Sequence, residues 1–248
     1  MNSTVAHAAI ALSLCALLSA CERHAATPAP APAAATTPSP ATTASAQTAA
    51  AITTEPTTQA VSDYVLPGAL APDVGPDRLK QLFGAANVRI DDHLPGPEGE
   101  DFRGVILFAD DPSRRAVLHY QDEQQLRGLA FVSVREADTR WRLDNGIVMG
   151  MRLSELARLN GKPIRFSGMG WDYGGTVTDW NGGKLASRDG DPVMRGARLG
   201  MVPGSSTQAD AVPSSDADYA SDDPKFPRQG ELLRVEELSV SFPGEDDL

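Results

Sequence analysis

The sequence predicts an α+β domain in which two short helices, each followed by antiparallel strands, form two related halves sharing a sheet. Three observations lead there. Two segments with helical spacing, GPDRLKQLFG (75–84) and GMRLSELARLNG (150–161), carry start or stop signals. Short β-type runs follow each of them, separated by Gly, Pro and Asn-Gly turn material. The stretches RLKQLFGAANVRI and RLSELARLNGKPIRF also echo one another about 75 residues apart, as a duplicated unit would.

Taken in order, Pro76 suits a first helical position, where its missing N–H would lack a partner anyway. Leu79, Leu82 and Phe83 share one face of that helix, and Gly84 ends it. Strands are expected at VRI (88–90), VILF (105–108), AVLHY (116–120) and LAFVSV (129–134), with LPGPEG (94–99) as a turn. Asp144-Asn145-Gly146 signals a hairpin ahead of IVMG. The second helix has Leu153, Leu156 and Leu159 at helical spacing and an Asn160-Gly161 stop. IRFSG (164–168), GTVTDW (175–180) and ARLGMV (197–202) follow as strands, with Asn181-Gly182 as a second hairpin turn. Residues 203–229 read as an acidic loop without periodicity, inserted between paired strands, and RVEELSVSF (234–242) as the last strand.

Net charge is −11, unevenly placed: residues 204–248 hold eleven acids against three Lys/Arg, whereas residues 63–203 hold twenty against eighteen. No basic face of the kind a phosphate backbone requires is present, so nucleic acid is not an expected partner. Both cysteines, Cys15 and Cys21, precede the folding region, which excludes disulfides, thiolate nucleophiles and cysteine metal sites from it.

Residues 8–20, AAIALSLCALLSA, suit a signal-peptide hydrophobic region but are too short to span a bilayer. With Leu18-Ser19-Ala20-Cys21 they resemble the lipobox of bacterial lipoproteins, which implies a signal peptide over 1–20 and a lipid anchor on Cys21. Glu22 after the cysteine implies the outer membrane, facing the periplasm. The rest of residues 21–62, almost purely Ala, Thr, Pro, Ser and Gln, has nothing to bury and reads as a disordered tether. Residues 63–248 are then one α+β domain.

GMRLSELARLNGKP, followed by Trp171-Asp172-Tyr173, resembles the helix-and-first-strand signature of the SmpA/OmlA lipoproteins, small parts of the outer-membrane β-barrel assembly machine. Tandem copies of that unit make the β-lactamase-inhibitor-protein-like fold, which the resemblance therefore implies. The stretch from ADDPSRRAVLHY through Trp141 to LNGKPIRFSGMGWDYGGTVTDWNGGKL is similar to uncharacterised bacterial envelope lipoproteins and implies no activity.

Catalytic signals are sparse. His119 alternates with Val117 and lacks a partner motif, and no G-x-S-x-G, H-E-x-x-H or P-loop occurs. The acidic runs DDHLPGPEGED (91–101) and DADYASDD (216–223) do not follow the EF-hand spacing and read as solvated loops. No catalytic residue, metal site or cofactor is expected. The candidate binding surface is Trp171, Asp172, Tyr173 and Trp180, within the glycine-rich GMGWDYGGTVTDWNGGKL (168–185). In a strand, Trp171 and Tyr173 project to one face and Asp172 to the other. The segment is either a core hairpin, with Trp180 meeting Trp171 or Tyr173, or an aromatic platform for a sugar ring or a partner side chain. A domain poor in aromatics favours burying Trp171 and Trp180.

The expected function is a non-enzymatic, membrane-anchored binding or assembly module for another envelope macromolecule, a protein or cell-wall partner. An inhibitor of a secreted lysozyme- or lactamase-type hydrolase is the alternative, and an enzyme ranks third.

Overall fold

The computed structural model describes residues 63–96, 99–205 and 211–243. The signal segment, Cys21 and the tether lie outside them. Among the described residues no helix is long and apolar enough to cross a membrane.

Helix α1 (Pro76–Phe83) starts on Pro76, ends at Gly84 and buries Leu79 and Phe83 one turn apart. Four strands follow as an antiparallel meander: β2 (Val88–Pro95), β3 (Asp101–Leu107), β4 (Ala116–Asp122) and β5 (Arg127–Val134). Their period-2 alternation sorts the faces. Ala116, Leu118 and Tyr120 enter the core, whereas Val117 and His119 point the other way. Two short strands, β1 (Val65–Leu66) and β6 (Arg142–Leu143), pair in parallel and bring Tyr64 beside Trp141. The Asp144-Asn145-Gly146 turn closes as expected, with the Leu143 N–H donating to Ile147 O at 2.9 Å.

Helix α2 (Leu153–Asn160) buries Leu153, Leu156 and Asn160 and stops at Gly161, which adopts φ 78°. That left-handed conformation is why a glycine ends the helix. After it come β7 (Arg165–Ser167), β8 (Val177–Asp179), β9 (Met194–Met201), β10 (Asp218–Ala220), the one-turn α3 (Gln229–Leu232) and β11 (Leu233–Ser241).

The six-stranded sheet has the order β2-β3-β4-β5-β11-β9, and a three-stranded sheet the order β10-β7-β8. They meet at one antiparallel bridge, Thr176 with Arg198, beside a 2.8 Å hydrogen bond from the Leu199 N–H to Gly175 O. Gly175 has φ 81°, and a Cβ there would collide with the Leu199 carbonyl, so only glycine fits. The molecule is α+β, with each helix leading into antiparallel strands. One shared sheet was expected, but only β9 and β11 of the second half join it. Gly170 and Gly175, both at positive φ, interrupt the extended backbone and leave β7 and β8 three residues each.

Two further expectations change. Asn181 and Gly182 form a tight turn at φ 52° and 58°, but the chain after it does not return along β8. It is held instead to the end of α2, where the Lys184 N–H donates to Asn160 O at 2.8 Å. The insertion does lie between paired strands, β9 and β11, yet it is not all loop. Its residues 218–220 form β10 on the free edge of β7. Tyr219 anchors them by packing edge-on against Phe226 at 5.7 Å and bonding Ser215 Oγ at 2.9 Å.

The aromatic centre of the core is Tyr64, Phe83, Phe108 and Trp141, in edge-to-face and tilted contacts of 5.2–6.3 Å. The Trp141 indole N–H donates to Arg114 O at 2.7 Å, which satisfies the one polar atom that burial would otherwise strand.

Candidate functional site

Trp171, Asp172 and Tyr173 lie on the turn between β7 and β8, not in a strand. Backbone bonds tie this turn at several points. Gly174 N–H reaches Trp171 O at 2.9 Å, Thr176 N–H reaches Tyr173 O at 3.2 Å, and Gly175 N–H reaches Ser167 O at 2.9 Å. The insertion braces it from below, with Gly168 N–H donating to Ala217 O at 2.9 Å and Met169 N–H to Pro213 O at 2.8 Å.

Within this frame the two rings stand together in solvent. Trp171 is 40% exposed and Tyr173 45%, with centroids 5.3 Å apart and planes at 66°. The indole N–H donates back to Gly168 O at 2.9 Å, fixing the ring over its own turn. Asp172, between them in sequence, is exposed.

The burial expected of Trp171 is therefore wrong, and that of Trp180 is only half met. Trp180 is half-buried against the core at the end of β8, and its carbonyl accepts from Asn160 Nδ2 at 2.8 Å. It does not stack on Trp171 or Tyr173. The physical reason lies in who fills the core: Trp141 and the fully buried Phe166 of β7 occupy it, and the turn glycines carry Trp171 outward. The candidate surface thus narrows to Trp171, Asp172 and Tyr173, without Trp180.

His119 faces the outer side of the six-stranded sheet, stacked on Phe102 at 3.8 Å and edge-on to Phe131 at 5.4 Å. Its sequence alternation was legible; the register that sets Phe131 opposite it was not. Desolvation between the rings, and then the Arg135 charge, lower its pKa from 6.5 to about 4. The unfolded chain therefore takes up this proton first as pH falls. The stabilisation from a neutral His119 is complete above about pH 6.5 and is lost as pH falls towards about 4. The loss by pH 4 should be about 3 kcal/mol. Urea unfolding at pH 7 and pH 4 should show that part of the slope disappear in His119→Leu.

Three of the acids of 91–101 are engaged with neighbouring basic groups: Asp91 lies 3.8 Å from Arg89, Asp92 3.0 Å from Arg103, and Asp101 3.3 Å from His93. Among the described residues no cluster of His, Cys, Asp or Glu is arranged to hold a metal. A cleft of about 270 Å³ is lined in part by Asp144, Lys184, Arg188 and Arg195. Arg195 closes on Asp144 with two bonds of 2.5 and 2.8 Å, and those bonds hold the Asp144 carboxyl below the usual carboxylate range. A second cleft, about 290 Å³, has Val148, Met151 and Leu159 beside Glu155 and Arg158. The first cleft had no signal in the sequence, because residues 144–145 and 184–195 are joined only in the fold; the second lies within the single stretch 146–159.

Comparison of the chain with protein-family models, with curated proteins and with solved structures finds no match.

Proposed function

We propose that this protein is a lipid-anchored, non-enzymatic envelope module that holds another envelope protein through the Trp171–Asp172–Tyr173 turn. The observation that carries this reading is the exposed, mutually packed ring pair on a hydrogen-bonded turn. Large aromatic side chains are the residues most able to anchor a partner, and rings already fixed lose little conformational entropy on binding. The Cys21 anchor and the 22–62 tether would place this turn off a membrane surface, in the periplasm beside the outer membrane. Two helix-plus-strand units also suit the β-lactamase-inhibitor-protein-like arrangement. An inhibitor of a secreted hydrolase is the alternative within the same reading, since it too would bind a protein.

The test is site-specific photocrosslinking in intact cells. A photoreactive residue at position 173 should give a discrete protein adduct, and the same residue at exposed Asp73 should not. Absence of any adduct from position 173 across growth conditions would sink the reading. Cys21→Ser should leave an unlipidated precursor that no longer partitions into detergent; acyl chains on that variant would refute the anchor.

A further inference from the structure

Besides its rings, the proposed contact surface has a one-sided charge. Residues 166–183 and 211–224, which carry it, hold six aspartates and neither lysine nor arginine, with Arg165, Lys184 and Lys225 at their ends. Two of the six serve their own turns: Asp179 Oδ1 accepts the Asn181 N–H at 2.6 Å, and Asp223 Oδ1 the Lys225 N–H at 2.9 Å. Asp172, Asp216 and Asp218 are exposed, and among the described residues their carboxylates form no ion pair.

The fold joins the segments that carry these three to the turn that carries the rings. Trp171 Nε1 bonds Gly168 O, and Gly168 N–H bonds the carbonyl of Ala217, the residue between Asp216 and Asp218. A Cβ on Gly168 would strike the backbone of Ser215 and the Tyr219 ring, so the two segments are in direct contact there. Asp218 is also paired with Ser167 across β10 and β7. Arg165 Nη2 reaches the Asp218 carbonyl, not its carboxylate, at 3.2 Å.

An electron-rich ring face attracts a cation, and carboxylates within a screening length of about 8 Å add to that attraction. Resting on the binding reading above, we infer that the occupant of this platform is a cationic protein segment, which seats a lysine or arginine on the Trp171–Tyr173 rings inside the rim of Asp172, Asp216 and Asp218. Complementary charge selects the partner and speeds its arrival, while the rings hold it.

The experiment measures binding of a labelled (Lys-Ser)6 peptide, with (Glu-Ser)6 as its counterpart, to the full mature chain by fluorescence anisotropy. The lysine peptide should bind and the glutamate peptide should not. Asp172→Asn/Asp216→Asn/Asp218→Asn should weaken binding about tenfold or more, and Trp171→Ala/Tyr173→Ala by a similar factor. A charge-matched control, Asp73→Asn/Asp110→Asn/Asp138→Asn, should weaken it less than about threefold, the share due to net charge alone. Circular dichroism on each variant confirms that it is folded. Equal weakening by the two aspartate triples would overturn the inference, because the peptide would then sense only net charge. Binding of an N-acetylated oligosaccharide that needs the rings but survives the Asp172/Asp216/Asp218 triple would overturn it too, in favour of a glycan. The broader binding reading falls separately, if position 173 gives no adduct in cells.

Discussion

Trp141→Ala should remove about 3–5 kcal/mol of stability, a large share of what a domain of this size possesses. The ring is 3% exposed and lies 5.2 Å from Tyr64 and 6.3 Å from Phe83. Its loss opens a cavity at the place where the parallel β1–β6 pair meets α1. Trp141→Phe keeps much of the volume and strands the Arg114 carbonyl, so it should cost about 1–2 kcal/mol. Trp171→Ala, by contrast, removes an exposed ring and one local hydrogen bond, and about 1 kcal/mol is expected. Urea unfolding of the three variants ranks them. A Trp171→Ala loss as large as that of Trp141→Ala would show that the β7–β8 turn is a structural element and not a contact surface.

Asn160→Ala should cost about 3 kcal/mol, the second-largest effect. Asn160 is fully buried at the last turn of α2. Its Nδ2 donates to Lys162 O at 3.0 Å and Trp180 O at 2.8 Å, and its Oδ1 accepts the Leu185 N–H at 3.1 Å. Alanine leaves all three backbone groups without that partner in a site closed to water. Gly183 packs directly on this amide, and a Cβ there would overlap it. Gly183→Ala should therefore be destabilising by itself, yet the Asn160→Ala/Gly183→Ala pair should lose less than the sum, since the shortened side chain vacates the space. Additive losses would mean that the two residues do not act on one another.

The elements of this protein were readable because each rests on a local signal. Pro76 and Gly84 bracket α1, Gly161 closes α2, and the alternation in AVLHY marks β4. The candidate site was legible as a composition, two tryptophans, a tyrosine and several glycines, but not as a geometry. Burial of Trp171 was the expected outcome because an average core would claim it. That expectation had no means of knowing that Phe166 and Trp141 already fill the interior. Likewise, the insertion looked structureless because its single strand is three residues long and gains its hydrogen bonds from β7, some fifty residues earlier.

By itself the sequence determined the positions of α1 and α2, the turns that demand left-handed backbone, the acidic balance and the exclusion of cysteine chemistry, because these follow from single residues and their immediate neighbours. Tertiary structure decided which tryptophan is core and which is surface, how the second half's strands divide between two sheets, and which distant segment is joined to the turn of the exposed rings. Those outcomes depend on contacts between distant segments competing for one interior and for free strand edges, and no local window of sequence contains both competitors.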